Sequence, residues 1–323
     1  MTFPRPNASP VRLWIDTDGG VDDALALACA YRDPTVRVEG ISTVSGNVAA
    51  RKAARNAALV QSLADADRCP VLVGASQPLS GVWVNARDIH GEDGLGGASL
   101  GHRLPYEEET VVGGGIAGVA EAMAAFADVQ GSDGAIIMTG PLTNLAEALQ
   151  AYPSAFERIG RIAVMGGALT VPRVRRGGSE FNFSSDMEAA RQVLALAPRL
   201  TVVTLNACRQ VCLRRQRLAE MVDRAPSRLA DFLRRAHQHY MDRYRALEGI
   251  DGCFPHDALA VAVAAEPEFI SSRTMKVRLD EGGAFPGLMR PDDTARPVEV
   301  VTDIQMRPAL QWIAACLARE APD

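Results

Sequence analysis

Val11-Arg12-Leu13-Trp14-Ile15-Asp16-Thr17-Asp18-Gly19-Gly20-Val21-Asp22-Asp23-Ala24-Leu25-Ala26-Leu27 organises the rest of the chain around itself. Val11 to Ile15 has strand character, and Ala24 to Tyr31 is an alanine-rich run of helical period. Between them, Asp16 to Asp23 packs four carboxylates into eight residues. Flanked by two apolar elements, these acids cannot all point to bulk water. Two carboxylates ~5 Å apart repel by about 3 kcal/mol at an effective dielectric of roughly 20. A cation relieves that repulsion. Oxygen-only ligands, with two glycines to bend the chain, suit Ca²⁺ or Mg²⁺ better than zinc. Helix capping is the simpler reading for Asp22 and Asp23, which would stabilise a helix dipole at its N-terminus. Capping accounts for two of the four acids and leaves the cluster unexplained.

Outward from this turn, β-branched apolar runs alternate with alanine-rich helical ones. The expected strands are Val36 to Val44, Cys69 to Val73, Gly134 to Met138, Arg161 to Met165, Leu200 to Leu205, Met275 to Leu279 and Val298 to Thr302. The expected helices are Ala49 to Ala64, Gly115 to Phe126, Leu142 to Gln150, Met187 to Ala195, most of Leu213 to Leu247, Pro255 to Ala265 and Pro308 to Arg319. Gly74 to Gly101 reads as a glycine-rich loop. Such alternation predicts an α/β fold, a single domain over residues 11–323 after a short tail (1–10), with a mainly parallel, Rossmann-like sheet flanked by helices. Ligands of such sheets gather beyond the carboxyl ends of the strands. The polar clusters fall there: Asp16 to Asp23, Ser45 to Asn47, Thr139 to Asn144 and Gly166 onward.

The 323 residues are 47% hydrophobic and 23% charged, enough to bury a core without disulfides or a structural metal. A formal net charge of -5 argues against a nucleic-acid surface and for small-molecule partners. The six cysteines are scattered, and Cys208 and Cys212 are not spaced as a zinc or redox pair, so reduced thiols are expected. Met1 to Pro10 has no apolar segment of a signal peptide, and no run is long enough to span a membrane, so a cytoplasmic location is expected.

An EF-hand loop would need a third acidic ligand before glycine and a terminal glutamate, both missing here. The haloacid dehalogenase pattern also starts Asp-x-Asp, but the pair Asp22-Asp23 is foreign to it. What the turn does resemble is the signature of the inosine–uridine-type nucleoside hydrolases. In that family's order there follow Val44-Ser45-Gly46-Asn47, Ile89-His90-Gly91, Thr139-Gly140-Pro141-Leu142-Thr143-Asn144, Met165-Gly166-Gly167, Glu180-Phe181-Asn182 and Pro255-His256-Asp257. The resemblance covers roughly residues 11 to 265.

The resemblance implies calcium-dependent hydrolysis of a ribonucleoside N-glycosidic bond, a role in purine or pyrimidine salvage, and a homodimer or homotetramer. It implies Ca²⁺ on Asp18, Asp23, the carbonyl of Thr139 and Asp257, with coordination left for water and ribose hydroxyls. Asp18 would be the general base toward the metal-bound water. Asp22, Asn182 and Asp257 would bind the 2′- and 3′-hydroxyls, Asn47 would support the acidic turn, and Glu180 would contact the 5′ side. Met165 would be pocket wall, although core packing explains a methionine equally well. His256 is the first candidate to protonate the leaving base and His90 the second, while a loop histidine bonded to backbone is the plainer account of His90. Tyr240 and Tyr244, four apart on one helix face, would stack over the base, or simply form a buried stripe.

Two segments depart from the family. Leu169 to Gly178 lacks the asparagine expected to contact the 5′-hydroxyl and carries Arg173, Arg175 and Arg176 instead. A solvated basic loop is the plainer reading; a phosphate-binding one would make a nucleoside monophosphate or a modified nucleoside the substrate. Asn206-Ala207-Cys208-Arg209 replaces the usual Asp-x-Thr-His. A non-catalytic ribose- or calcium-binding homologue is the remaining alternative; it would require a missing general base or metal ligand, and none is missing.

Overall fold

A computed structural model describes residues 9–102, 104, 110–171, 178–265, 267–280 and 284–319. The strands are β1 (Val11–Thr17), β2 (Val36–Thr43), β3 (Val71–Val73), β4 (Val111–Gly113), β5 (Gly134–Met138), β6 (Arg161–Met165), β7 (Leu200–Val203), β8 (Leu213–Arg214), β9 (Gly252–Cys253), β10 (Ile270–Leu279), β11 (Met289–Pro291) and β12 (Pro297–Ile304). Ten of them form one sheet in the order β11-β10-β12-β7-β6-β5-β1-β2-β3-β4, and β8 pairs with β9 apart from it. From β4 to β12 every neighbouring pair is parallel. Only β10, between β12 and β11, runs antiparallel to its neighbours.

The chain builds outward from β1 in both directions. β2, β3 and β4 step to one side, and β5, β6 and β7 step to the other. The crevice between β1 and β5 is therefore the switch point at which open α/β sheets bind ligands. Both faces of the sheet are buried, which is why its strands read as continuous apolar runs. Leu13, Ile15, Ile41, Ile137 and Ala163 face one core with helices Val21–Arg32, Ala50–Leu63, Arg228–Glu248, His256–Ala264 and Met306–Leu317. Trp14, Ile136, Met138, Ile162 and Val164 face the other, under Gly115–Gln130, Thr143–Ala151 and Met187–Leu196. Every residue of helix Val21–Arg32 is buried, and between the acids of its first turn and Arg32 at its end the sequence is apolar all round instead of amphipathic.

The architecture is the α/β fold expected. The differences are local. The strand expected to reach Leu205 stops at Val203, because the Thr204 hydroxyl accepts the Ala207 N–H at 3.2 Å and caps a short helix, Leu205–Cys208. The segment read as loop contains one helical turn, Arg87–His90. Strands β4 and β11, three residues each, have too little sequence to announce themselves and form by pairing with an existing edge. All six cysteines are free. Among the described residues no helix is long and apolar enough to cross a membrane.

Candidate active site

Helix Val21–Arg32 begins where β1 ends, and the turn between them fits only a glycine at Gly19. Its φ is +74°, and a Cβ there would lie 2.5 Å from the Ala53 backbone. This turn brings Asp18, Asp22 and Asp23 into the switch-point crevice. Asp257 arrives from the first turn of helix His256–Ala264. One oxygen each of Asp22, Asp23 and Asp257 lie within 4.8 Å of one another, all three residues buried.

The hydrogen bonds of the four acids differ. Both Asp18 oxygens accept from Asn47, one from its backbone N–H and one from its side-chain amide, each at 2.8 Å. Asp23 accepts from Thr17 Oγ1 (2.6 Å), Thr139 Oγ1 (2.7 Å) and the Gly20 N–H (2.7 Å). The last contact is the capping interaction, so capping and clustering coexist at Asp23. Asp22 Oδ2 accepts from Tyr240, while its Oδ1 is buried with no hydrogen-bond partner. Burial, and then the charge of Asp23, pushes Asp22 up to about 7. The same two causes hold Asp18 well above the usual carboxylate range, and burial with the charges of Asp22, Asp23 and Asp18 does so for Asp257. Such a set of crowded, oxygen-only donors with an orphaned oxygen fits a hard divalent cation, in which case all of them ionise.

Above the acids lies a cavity of about 240 Å³. Asp22, Asn47, Thr139, Met165, Glu180, Asn182 and Asp257 are part of its lining. His90, Tyr240, Tyr244, His256, Leu205, Arg209 and Glu248 line it as well. Asp18 and Asp23 are buried behind this lining. Asn182 spends its amide hydrogens on two carbonyls, Thr139 O at 2.9 Å and Met165 O at 3.0 Å, which leaves Oδ1 as its free ligand atom. Glu180 lines the cavity but caps helix Phe181–Ser185. Its two oxygens accept three backbone N–H groups, from Gly167 (2.8 Å), Phe183 (2.9 Å) and Asn182 (3.0 Å).

Both histidines are neutral. The Val21 N–H donates to His90 Nδ1 at 3.1 Å, which fixes the tautomer with hydrogen on Nε2. The 3.7 Å approach of Asp22 Oδ1 to that same nitrogen is therefore no ion pair. Burial lowers His90 to about 4 and His256 to about 3, the latter helped by Arg209 and His90. His256 Nε2 lies 3.3 Å from the Tyr244 hydroxyl. Tyr240 packs between the rings of His90 (centroids 4.8 Å) and Tyr244 (5.1 Å).

The family model of inosine-uridine preferring nucleoside hydrolases matches residues 13–310. The chain belongs to this family. A nucleoside hydrolase is an enzyme, and the reaction is hydrolysis of the N-glycosidic bond of ribonucleosides. The chain is 32% identical to a probable uridine nucleosidase 1 of Oryza sativa, over 85% of this chain and 83% of that one. It is 28% identical to the non-specific ribonucleoside hydrolase RihC of Escherichia coli, covering 95% and 98% of the two chains. Its structure superposes on the plant nucleoside hydrolase PpNRh1 with a TM-score of 0.84 and 28% identity, covering 97% and 100%.

Every site residue expected for this hydrolase lies in one place, at or just behind the cavity. The arginines of residues 172–177 lie outside the described residues. Among the described residues Asn206 lies against the start of this segment, its Oδ1 accepting the Leu169 N–H at 2.7 Å. Arg209, Glu248 and Leu205 line the cavity and were not expected there. Glu248 had one local sign, since it continues the face of Tyr240 and Tyr244 at four-residue spacing.

Proposed function

We propose that the nucleoside hydrolase works with a calcium ion held by Asp18, Asp23, Asp257 and the Thr139 carbonyl, and that Asp18 is its general base. The close approach of Asp22, Asp23 and Asp257 at the floor of a nucleoside-sized cavity carries this reading. When bound, such a cation offsets the acidic cluster and lends Lewis acidity to the attacking oxygen and the ribose hydroxyls.

The side chains supply the rest. Asp18, held rigid by two bonds from Asn47, takes a proton from the attacking water. Oxygen attacks C1′ as the C1′–N bond breaks and its electron pair leaves with the base. Asp22, Asp257 and Asn182 Oδ1 orient the 2′- and 3′-hydroxyls, and the carboxylates stabilise positive charge growing on the sugar more than they stabilise the ground state. Met165 walls the ribose. Glu180, with its oxygens committed to backbone, positions Asn182 and the 5′ side. Tyr240 and Tyr244 face the base. A neutral His256 or His90 serves as hydrogen-bond donor to the departing base, with the Tyr244 hydroxyl beside His256.

Relatives named uridine nucleosidases put uridine first among substrates. The setting proposed is base salvage by a cytoplasmic homo-oligomer. The test is base release from a panel of purine and pyrimidine ribonucleosides by wild type and Asp18→Asn, after chelation and after calcium is restored. Turnover that needs calcium and is lost in Asp18→Asn supports the mechanism; full activity after exhaustive chelation overturns it.

A further inference from the structure

Arg209 and Glu248 line the cavity without a part in the metal, ribose or leaving-group roles proposed above. Arg209 Nη1 donates to Glu248 Oε1 at 3.2 Å, and Nη2 donates to Oε2, a two-point clamp. Their side chains are 17% and 16% exposed, so the pair is largely withdrawn from water yet reaches the cavity. The guanidinium carbon lies 4.4 Å from the centroid of the Phe254 ring. Phe254 in turn packs against Tyr244 (5.6 Å) and His256 (5.9 Å). Arg209 is thereby fixed beside Tyr244 and His256, the side chains proposed to face the base. Among the described residues lining the cavity it is the only lysine or arginine.

We infer that Arg209, clamped by Glu248 and stacked on Phe254, reads an exocyclic oxygen of the base and sets discrimination between oxo and amino bases. The inference rests on the hydrolase reading. As the C1′–N bond breaks, its electron pair passes to the base. In uracil or hypoxanthine that charge spreads onto a carbonyl oxygen, where the guanidinium N–H groups outside the clamp can meet it. Cytosine and adenine carry an amino group at that position, a donor facing a donor. Glu248 keeps the guanidinium plane in place, and its carboxylate accepts a ring N–H of an oxo base.

The experiment compares kcat/KM for uridine against cytidine and inosine against adenosine in wild type, Arg209→Gln, Arg209→Lys and the double variant Arg209→Gln/Glu248→Gln. The double variant leaves no unpaired half-buried charge, so it keeps the test valid where the single variant folds poorly. Loss of one charged hydrogen bond predicts that the oxo-to-amino ratio falls roughly ten- to hundred-fold, with Arg209→Lys in between because it keeps the charge without the fork. Equal losses on all four nucleosides, or a lower Tm with unchanged ratios, would make the pair merely structural and overturn the inference alone. Absence of turnover of any nucleoside by folded, calcium-loaded wild type would overturn the hydrolase reading and this assignment with it.

Discussion

The Tyr240 hydroxyl donates to Asp22 Oδ2 at 3.2 Å, joining two residues 218 positions apart. This bond links the aromatic wall proposed to face the base to the acidic floor proposed to face the ribose. The same carboxylate has a second oxygen without a hydrogen-bond partner, and the Tyr240 hydroxyl is a side-chain donor that helps to orient the group. Removing it leaves the ring stack on His90 and Tyr244 intact but frees the carboxylate to turn.

Tyr240→Phe is therefore expected to fold normally and to lose activity. One hydrogen bond to a charged group is worth ~2 kcal/mol, which corresponds to roughly a thirty-fold fall in kcat/KM. Steady-state kinetics with uridine, alongside a melting curve, check it. A variant as active as wild type would show that Asp22 is oriented by other contacts.

The acidic turn was legible in the sequence because its chemistry is local: four acids in eight residues need no tertiary information to look anomalous. Strands β5 and β6 were legible to the residue, since a strand buried on both faces is an uninterrupted apolar run bounded by polar or glycine positions. β7 was overrun by two residues. Leu205 continues the apolar pattern, yet the Thr204 cap turns the chain into a short helix there. That turn carries Leu205 and Arg209 to the cavity; in the sequence Arg209 stands out only as part of a segment that departs from the family, and Leu205 not at all. Arg209 and Glu248 stand 39 residues apart, and only the packing of helix Arg228–Glu248 against this corner brings them together. Glu180 was legible as a site residue but its cap was not, because its bond to Gly167 depends on the approach of β6.

Gly19→Ala is expected to destabilise the fold as well as the site. The residue would be held at positive φ with its Cβ 2.5 Å from Ala53 Cα, so helix Ala50–Leu63 or the turn must move. Backbone strain alone costs about 1–2 kcal/mol, and the clash raises the expected loss to about 3 kcal/mol or more. Urea unfolding at fixed calcium measures it. A loss under ~1 kcal/mol would mean that the turn relaxes freely.

Calcium is expected to raise the melting temperature and a chelator to lower it. Asp22, Asp23 and Asp257 stand within 4.8 Å of one another, and a cation bound only in the folded state stabilises it by mass action. At a free concentration a hundred times Kd the gain is about 2.7 kcal/mol. Differential scanning calorimetry across a calcium series should show the shift in wild type and a much smaller one in Asp257→Asn. An identical shift in both proteins would place the ion elsewhere.

Acid sensitivity provides a test at a histidine outside the cavity lining. His237 is buried in helix Arg228–Glu248, where its Nδ1 lies 2.7 Å from the Leu233 carbonyl and must carry the hydrogen. Its Nε2 is buried without a partner, so a second proton there would be an unsolvated charge. Burial accordingly lowers the group from 6.5 to about 4. Between those values the unfolded chain binds the proton and the folded chain does not. Stability from this residue is thus fully present above pH ~6.5, is lost as pH falls toward ~4, and is constant below that. The expected loss is about 3 kcal/mol. His237→Asn keeps a donor for Leu233 and cannot titrate, so it should flatten this part of the profile. His90 and His256 act in the same direction and the raised carboxylates in the opposite one, so the measured quantity is the difference between wild type and variant. Urea unfolding at pH 7 and pH 4.5 gives it: parallel profiles would mean that His237 gains a partner on protonation.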